Sequence, residues 1–412
     1  MQPITSPRAG HPLAAAAGAA PDLVVLSHLR WTWVWQRPQH LVSRLARARR
    51  AGGARTYVVE EPLPADVAAP TLRRQDVDGI TRVWIEVPDG PEMPRYPGFG
   101  HESAPGYEEL VAELLVADGR PPRPDVWLYT ALALDMARAI GWGRLVYDVM
   151  DDLAAFKDAS PRFVLRHRRA LAAADVVFTG GRSLHRSTTE LRTCGVHCFP
   201  SGVETAHYRR SRTMRRPHER PVAGFVGVLD ERLDRDLVAG LAAALPDWTV
   251  RLVGPLAKIE ESDLPRAANL DYPGMAAYDR LPEVMAGFDV AIMPFALNEA
   301  TRSISPTKTL EYLAAGLPVV STRVPDVVAD CAEYVSLADG PADFAPACRA
   351  ALEEDRDGLL RRVEPVLAAR EWDRIAEDMA TLLEATPTRS RTAAGALAPA
   401  TELRVATLRG TA

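Results

Sequence analysis

The chain has 412 residues, of which 47% are hydrophobic and 25% are charged, and its formal net charge is −5 at pH 7. This length favours two domains, and the acidic balance argues against a protein built mainly to bind nucleic acid. No run of about 18 apolar residues occurs, so no membrane-spanning helix is predicted. The four cysteines lack the partners of a zinc site, so we expect reduced thiols in a cytoplasmic protein.

The first half of the chain alternates short apolar runs with helical patterns, as the buried strands and helices of an α/β protein do. Strands are predicted at 22–27, 56–60, 82–87, 126–129, 145–149 and 176–178, and helices at 41–52, at 107–117, from 131 and at 160–174. A loop over 88–105, rich in proline and glycine, is long enough to act as a lid.

The alternation restarts in the second half of the chain. Strands are predicted at 222–228, 249–253, 269–274, 290–294 and from 319, and helices at 233–245, 281–287, 341–354 and 372–384. Two such series predict two Rossmann-like domains with parallel sheets that face a central cleft. We expect a disordered leader over 1–20, a first domain over 21–205, a second over 206–370 and a flexible tail over 387–412.

The stretch 303–321 has the pattern of a loop, a short helix, a tight stop and a buried strand. Ser305 is a good N-cap, and Pro306 suits the first helical position. The free N–H groups of Thr307 and Lys308, beside the lysine ammonium, would form an anion site, with Glu311 about one turn further on. A phosphate site with a nearby carboxylate suits a nucleotide, although a capped helix before a strand is also ordinary α/β architecture.

An aromatic and polar loop follows the first predicted strand. It places tryptophans at the alternate positions Trp31, Trp33 and Trp35. Ligands of parallel sheets bind beyond the carboxyl ends of strands, where this loop lies. The tryptophans could form a core strand edge, or an acceptor surface that stacks on sugar rings or rests at a lipid interface.

Several short segments, in this order along the chain, resemble family 4 of the glycosyltransferases, which are retaining enzymes of the GT-B fold. They are FPSGVE at 199–204, GFVG at 224–227, LVG at 252–254, YPG at 272–274 and TKTLEYLAAGLPVV at 307–320. The segments VWQRPQH at 34–40 and NEATR at 298–302 resemble a subgroup of teichuronic acid and exopolysaccharide glycosyltransferases. The resemblance covers roughly residues 22 to 385, and it implies that a last helix over 371–386 packs back on the first domain.

The resemblance implies a role for Glu311 as the second acid of the family's paired-glutamate motif, which holds the donor's ribose. The first acid of that motif would fall eight residues earlier, where this chain has Ser303. We therefore expect Glu299 or Arg302 to serve the donor sugar instead.

Arg232, in the loop after a second-domain strand, matches a family position that neutralises the donor diphosphate. With Lys308 it would form a clamp of two cations around the leaving group. Arg232 could instead be a solvated charge, and Lys308 a surface lysine. The rest of the predicted donor site consists of Thr307, Ser305, Gly227 and Gly254.

Asp151 occupies the place where many members of the family carry a histidine after a first-domain strand. Asp151 or Asp152 could orient the acceptor or take its proton, although either could simply cap a helix. The run around Asp148 differs in spacing from a metal-binding Asp-x-Asp, so no metal is predicted. The predicted acceptor site consists of Trp33, Gln36, Arg37, His40 and Asp152.

These features predict a retaining glycosyltransferase that moves a hexose-like sugar from a nucleotide-sugar donor to a glycan or lipid-linked acceptor in cell-envelope or exopolysaccharide synthesis. No cofactor is expected beyond the nucleotide-diphosphate sugar, and we expect a cytoplasmic protein with peripheral association at the inner face of the membrane. The alternatives are a nucleotide-sugar epimerase of related fold, or a non-catalytic nucleotide-sugar-binding protein, for which Ser303 leaves room. A dinucleotide dehydrogenase is disfavoured because the glycines at 224 and 227 are not the full G-x-G-x-x-G.

Overall fold

A computed structural model describes residues 20–121, 123–152 and 161–389 of the chain. The predicted leader up to residue 19 and the predicted tail from residue 390 lie outside these ranges. The described residues form two predominantly parallel sheets, each with its own helices.

The first sheet has the strand order β3-β5-β2-β1-β6-β7-β8-β9, with β4 antiparallel to β5 and the other pairs parallel. Its strands are β1 (Leu23–Ser27), β2 (Thr56–Glu60), β3 (Leu63–Ala65), β4 (Thr71–Val77), β5 (Ile80–Pro88), β6 (Asp125–Leu128), β7 (Arg144–Val149), β8 (Val176–Thr179) and β9 (Val196–Cys198). Alternate residues of β1 contribute to two separate cores, one on each face of the sheet. Burial on both faces explains why these strands are continuous apolar runs in the sequence.

The second sheet is parallel throughout the described residues, in the order β12-β11-β10-β13-β14-β15. Its strands are β10 (Val222–Val226), β11 (Thr249–Val253), β12 (Leu270–Gly274), β13 (Val290–Met293), β14 (Val319–Thr322) and β15 (Ser336–Ala338). The predicted fold class of two Rossmann-like domains with parallel sheets is thus confirmed. In both sheets, strands are added first on one side of the first strand, β1 or β10, and then on its other side. Ligands of such sheets bind beside this strand, beyond the carboxyl ends of the strands.

The helices cover the faces of the two sheets. In the described residues they are α1 (Arg37–Arg50), α2 (Tyr107–Ala117), α3 (Leu134–Ile140), α4 (Pro161–Ala173), α5 (Arg182–Leu191), α6 (Thr205–Arg209), α7 (Ser211–Met214), α8 (Arg235–Ala244), α9 (Leu281–Ala286), α10 (Thr307–Ala314), α11 (Pro325–Cys331), α12 (Pro341–Leu352), α13 (Arg356–Ala369) and α14 (Trp372–Ala385). None of the helices in the described part of the chain has the length and apolarity needed to cross a bilayer.

The chain passes between the two domains twice, and the two passages lie side by side. The backbone N–H of Val203 donates to the carbonyl of Arg370 at 2.9 Å, and the N–H of Trp372 donates back to Val203 at 3.2 Å. Immediately after the second passage, α14 packs against α1 of the first domain. Trp372 is buried in the core below β1, so the last helix ties the end of the second domain to the first.

One carboxylate, that of Glu204, joins both domains at these passages. It accepts a hydrogen bond from Arg44 Nη2 of α1 at 3.0 Å and another from the Tyr278 hydroxyl of the second domain. Arg44 also donates through Nε to Asp373 of α14 at 2.7 Å. Side chains of the first domain, the crossing segment, the second domain and α14 therefore meet at one place.

Aromatic rings extend this junction. Trp35, from the predicted tryptophan surface, stacks on Tyr278 of the second domain with ring centroids 4.9 Å apart, and His207 stacks on the same ring at 4.4 Å. His40 lies parallel to Trp372 at 5.1 Å. Part of the tryptophan loop thus packs between the domains.

We expect Trp372→Ala to lower the free energy of unfolding by about 3–5 kcal/mol, because it removes a fully buried indole and leaves a cavity between α14 and α1. The measurement is urea unfolding followed by circular dichroism. Trp33→Ala, at a half-buried position in the loop, is the matched control and should cost much less. Equal losses in the two variants would contradict the role of α14 as a tie between the domains.

Candidate functional site

The cleft between the carboxyl ends of the two sheets is held partly closed by contacts on one side. The backbone N–H and Oγ of Ser183 donate to Asp326 Oδ1 at 3.0 and 2.6 Å. Ser201 Oγ donates to the carbonyl of Ser305 at 2.9 Å, next to the start of α10. The structure therefore brings the predicted anion-binding segment directly against the first domain.

Two glycines form the floor of the second-domain half of the cleft. Gly227 and Gly254 directly follow β10 and β11, and a Cβ on Gly254 would lie 1.8 Å from the carbonyl oxygen of Gly227. A Cβ on Gly227 would lie 2.6 Å from Lys308 Cε. Any side chain at either position would displace the backbone or fill the space beside Lys308.

Lys308 is half-buried in the first turn of α10, and its ammonium lies 5.4 Å from the ring centroid of Phe225 and 5.5 Å from that of Phe295. Burial and, next to it, the nearby positive charge of Arg232 together lower the pKa of Lys308 to about 8, while Glu311 opposes the shift. Among the described residues no carboxylate lies within ion-pairing distance of its ammonium. The group is therefore poised to gain from a bound anion.

Arg232 is oriented by its neighbour Asp230. Its Nε donates to both carboxylate oxygens at 3.0 Å, and its Nη2 donates to Oδ2 at 2.6 Å. Burial alone would lower the pKa of the guanidinium, but the hydrogen bonds to Asp230 outweigh it and the pKa is raised. Arg232 is thus a fixed cation within electrostatic reach of Lys308, rather than a freely solvated charge.

Glu311 lies half-buried on the same helix, beside Lys308. Burial raises the pKa of its carboxyl group, while Lys308 and the hydroxyls of Tyr208 and Thr307 oppose that rise. The helix itself begins one residue later than predicted, at Thr307, with Pro306 in the N-cap position. Ser305 is therefore not the N-cap, and its carbonyl serves instead as the acceptor for Ser201.

The two residues expected to replace the missing acid, Glu299 and Arg302, are exposed and paired with each other. Arg302 Nη1 and Glu299 Oε2 form an ion pair with each other at 3.0 Å, and their side chains are 60% and 69% exposed. Ser303 itself is buried, and its Oγ lies 3.5 Å from Asp152 Oδ2 of the first domain. The expected donor-sugar role of Glu299 and Arg302 stays a prediction, and a ligand would have to compete with their mutual ion pair.

Asp151 lies at the carboxyl end of β7, within electrostatic reach of both Arg232 and His28. His28, which directly follows β1, was not identified from the sequence as a site residue. Its Nδ1 is buried without a hydrogen-bond partner in the described residues, and burial lowers the pKa of the imidazole while Asp151 opposes the shift. The sequence did contain a signal for it, because a histidine directly after the first strand of a βα unit lies where ligands of such sheets bind.

Three members of the predicted acceptor site have structural partners instead. Arg37 is buried, with Nε 3.1 and 3.0 Å from the two oxygens of Asp148 and Nη1 donating to the carbonyl of Phe199 at 2.7 Å. Gln36 forms a capping box with Gln39 at the start of α1. Burial lowers the pKa of His40 to about 3, so it is a neutral ring within the interdomain junction.

The structure therefore argues against acceptor contacts for Arg37 and His40, because both are buried in the protein's own packing, while the acceptor contact of the half-buried Gln36 stays a prediction. Trp33 is half-buried in the loop after β1, and Asp152 lies at the cleft. In the described residues there is no cluster of three or more His, Cys, Asp or Glu that could hold a metal ion.

Residues 220–354 match the family described as Glycosyl transferases group 1. The Bacillus subtilis protein TuaH, whose name gives it as a putative teichuronic acid biosynthesis glycosyltransferase, is 27% identical over 300 residues, which are 67% of this chain and 74% of that protein.

Solved structures with lower sequence identity share the fold. The sucrose-phosphate synthase of Thermosynechococcus elongatus superposes with a TM-score of 0.64 at 14% identity, over 89% of this chain and 98% of that one. The Anabaena protein HepE in complex with UDP and glucose superposes with a TM-score of 0.62 at 16% identity, over 88% and 99% of the two chains.

Of the segments that carried the resemblance, GFVG at 224–227 and LVG at 252–254 lie at the carboxyl ends of β10 and β11, and TKTLEYLAAGLPVV at 307–320 begins with α10. Residues 220–354 of the second domain thus match the glycosyl transferases group 1 family, and the chain as a whole shares the two-domain GT-B fold of these solved glycosyltransferase structures.

Proposed function

We propose that this chain is a retaining glycosyltransferase that moves a sugar from a nucleotide-sugar donor to a glycan or lipid-linked acceptor. The observation that carries the proposal is the pair of cations, Arg232 and Lys308, beside the glycine floor of the second domain. The similarity to TuaH supports a role in the synthesis of a cell-envelope polysaccharide. The complex of HepE with UDP and glucose supports a nucleotide-sugar donor.

The chemistry follows from the positions of these charges. When the glycosidic C–O bond of the donor breaks, negative charge gathers on the departing diphosphate. Two fixed cations and the N–H groups of the first turn of α10 stabilise that charge without a metal ion. Further closure of the two domains around a bound donor would exclude water from the cleft, which favours transfer over hydrolysis of the donor.

The acceptor reaches the cleft from the first domain, where Asp151 lies within electrostatic reach of both Arg232 and His28. Either Asp151 or His28 is suited to orient an acceptor hydroxyl or to take up its proton. Helix α4 presents Val164 and Leu165 to solvent, 37% and 49% exposed, next to the exposed Arg168 and Arg169. An aliphatic and basic surface suits peripheral contact with an anionic membrane, and we place the protein at the cytoplasmic face of that membrane.

We expect sugar transfer to continue in the presence of a chelator. The donor base for this assay is chosen by titrating UDP, GDP and ADP into the protein.

Glu311→Gln should weaken binding of the preferred nucleoside diphosphate by about 10- to 100-fold, because it removes a charged acceptor for the ribose hydroxyls. Glu283→Gln, at an exposed glutamate of α9, is the control and should leave the affinity unchanged. Equal affinities of the wild type and Glu311→Gln would refute the ribose contact, and tight binding without transfer to any acceptor would favour the binding-protein alternative.

The affinity for the preferred nucleoside diphosphate should fall by about tenfold between pH 7 and pH 9. The pKa of Lys308 is about 8 in the unliganded protein, so Lys308 is charged below that pH and loses its proton above it. A bound diphosphate favours the charged form, so binding above pH 8 must take up a proton. In Lys308→Arg the cation persists, and the affinity should stay constant over this range. A flat profile for the wild type would contradict the role of Lys308.

We expect the protein to co-sediment with phosphatidylcholine vesicles that contain phosphatidylglycerol, and not with phosphatidylcholine alone. Replacing both Arg168 and Arg169 by glutamine should lower the partition coefficient by about 30-fold, at about 1 kcal/mol for each arginine near the surface. Arg349→Gln, on an exposed part of the second domain, is the control. Undiminished binding of the α4 variant would place the membrane contact elsewhere.

A further inference from the structure

We propose that Asp152 of the first domain and Ser303 of the second together form the subsite that binds the hydroxyl groups of the transferred sugar. This inference rests on the proposed function, because it takes the ligand of the cleft to be a nucleotide sugar. It assigns to Asp152 a contact with the donor rather than with the acceptor.

The geometry of the pair is the first observation. Ser303 is 5% exposed, and its Oγ lies 3.5 Å from Asp152 Oδ2, at the outer limit of a hydrogen bond. Two polar oxygens at that distance can both bind one hydroxyl group placed beside them, with the carboxylate as acceptor and the serine as donor or acceptor. The pair joins residues that are 151 positions apart in the chain.

The second observation is the position of the pair relative to the cations. Asp151, the neighbour of Asp152, is within electrostatic reach of Arg232. Ser303 lies in the loop that leads into α10, and Ser201 anchors this loop through the carbonyl of Ser305. Asp152 thus follows a residue within electrostatic reach of Arg232, and Ser303 precedes Lys308 by five residues, so we infer that the pair lies near these two cations. A sugar attached to a diphosphate in that clamp extends from it by one glycosidic bond.

The third observation is that, among the residues the structure describes, no cation pairs with the carboxylate of Asp152. In the described residues it forms no ion pair, and its electrostatic neighbours in the first domain are Tyr147 and His167. These two bond to each other, the Tyr147 hydroxyl lying 2.9 Å from His167 Nδ1. Burial lowers the pKa of His167 and Asp152 opposes the shift. Asp152 therefore keeps its capacity to accept hydrogen bonds from a ligand.

The serine at position 303 completes the argument. A glutamate there would bring a second carboxylate against Asp152, and two like charges at such a distance disfavour each other. With serine, the subsite contains one negative charge, which the first domain supplies. Glu299, the residue that the sequence suggested as a substitute, is exposed and paired with Arg302. The carboxylate of Asp152 in the first domain thus takes the place of the acid that the family has at position 303 in the second domain. The sugar is therefore recognised only when both domains contact it.

The test compares binding of nucleoside diphosphates and of their sugar conjugates. Isothermal titration with UDP, UDP-glucose, GDP, GDP-mannose, ADP and ADP-glucose gives, for each base, the ratio of the two affinities. Asp152→Asn should lower the affinity for the preferred nucleotide sugar by about tenfold and leave that for its diphosphate unchanged, because a carboxylate–hydroxyl hydrogen bond is lost. Glu299→Gln, the rival assignment, should change neither affinity.

A rescue variant separates ligand contact from structural support. In the double variant Asp152→Asn, Ser303→Glu the acid returns to the second domain, and the affinity ratio should recover at least in part. Circular dichroism shows whether each variant is folded. The subsite is refuted if Asp152→Asn leaves the ratio unchanged, if it weakens diphosphate and sugar conjugate equally, or if no conjugate binds the wild type more tightly than its diphosphate. Absence of all nucleotide binding by the wild type refutes the proposed function as well.

Discussion

The carboxylate of Glu204 is the point on which the arrangement of the two domains depends. It lies on the first crossing segment, accepts hydrogen bonds from Arg44 of α1 and Tyr278 of the second domain, and adjoins the backbone pairing of Val203 with the second crossing segment. Moving Arg44 or Tyr278 away would leave the largely buried carboxylate of Glu204 without one of its hydrogen-bond partners, which is costly in free energy. The three side chains therefore hold one another in place. The junction thereby fixes how the carboxyl ends of β1 and β10 face each other.

Strands buried on both faces were predictable, because their apolar runs and the helices between them follow from parallel-sheet architecture. The strand β4 was missed, although Asp78 and Gly79, both with positive φ, form the Asp-Gly turn that favours a two-residue hairpin. Helix α13 was also missed, since Pro365 lies inside it and a proline normally predicts a helix end. The Asp-Gly turn was thus a local signal for the hairpin that was overlooked, whereas the helix around Pro365 forms against the local preference of proline.

The candidate site divides in the same way. Lys308 and Glu311 lie on one short helix, so their proximity could be predicted from spacing alone. Arg37 pairs with Asp148, which is 111 residues further along the chain. No local pattern could predict that this arginine is buried in the core. The contact between Ser303 and Asp152 crosses the cleft and depends on the relative position of two domains. What could be predicted was therefore the proximity of side chains within one helix, and what could not was the pairing of side chains from distant parts of the chain.

The two sides of the cleft carry opposite charges, in the arrangement that the proposed reaction needs. The second domain contributes the cations Arg232 and Lys308, and the first contributes the carboxylates Asp151 and Asp152. During transfer, negative charge grows on the diphosphate while the sugar acquires positive, oxocarbenium-like character. In the proposed reaction, cations beside the leaving group and carboxylates beside the sugar would stabilise both changes together, and Asp230 orients Arg232 before the donor binds. Because the two signs of charge come from different domains, this stabilisation is complete only when the domains are held together, which is the work of the junction around Glu204.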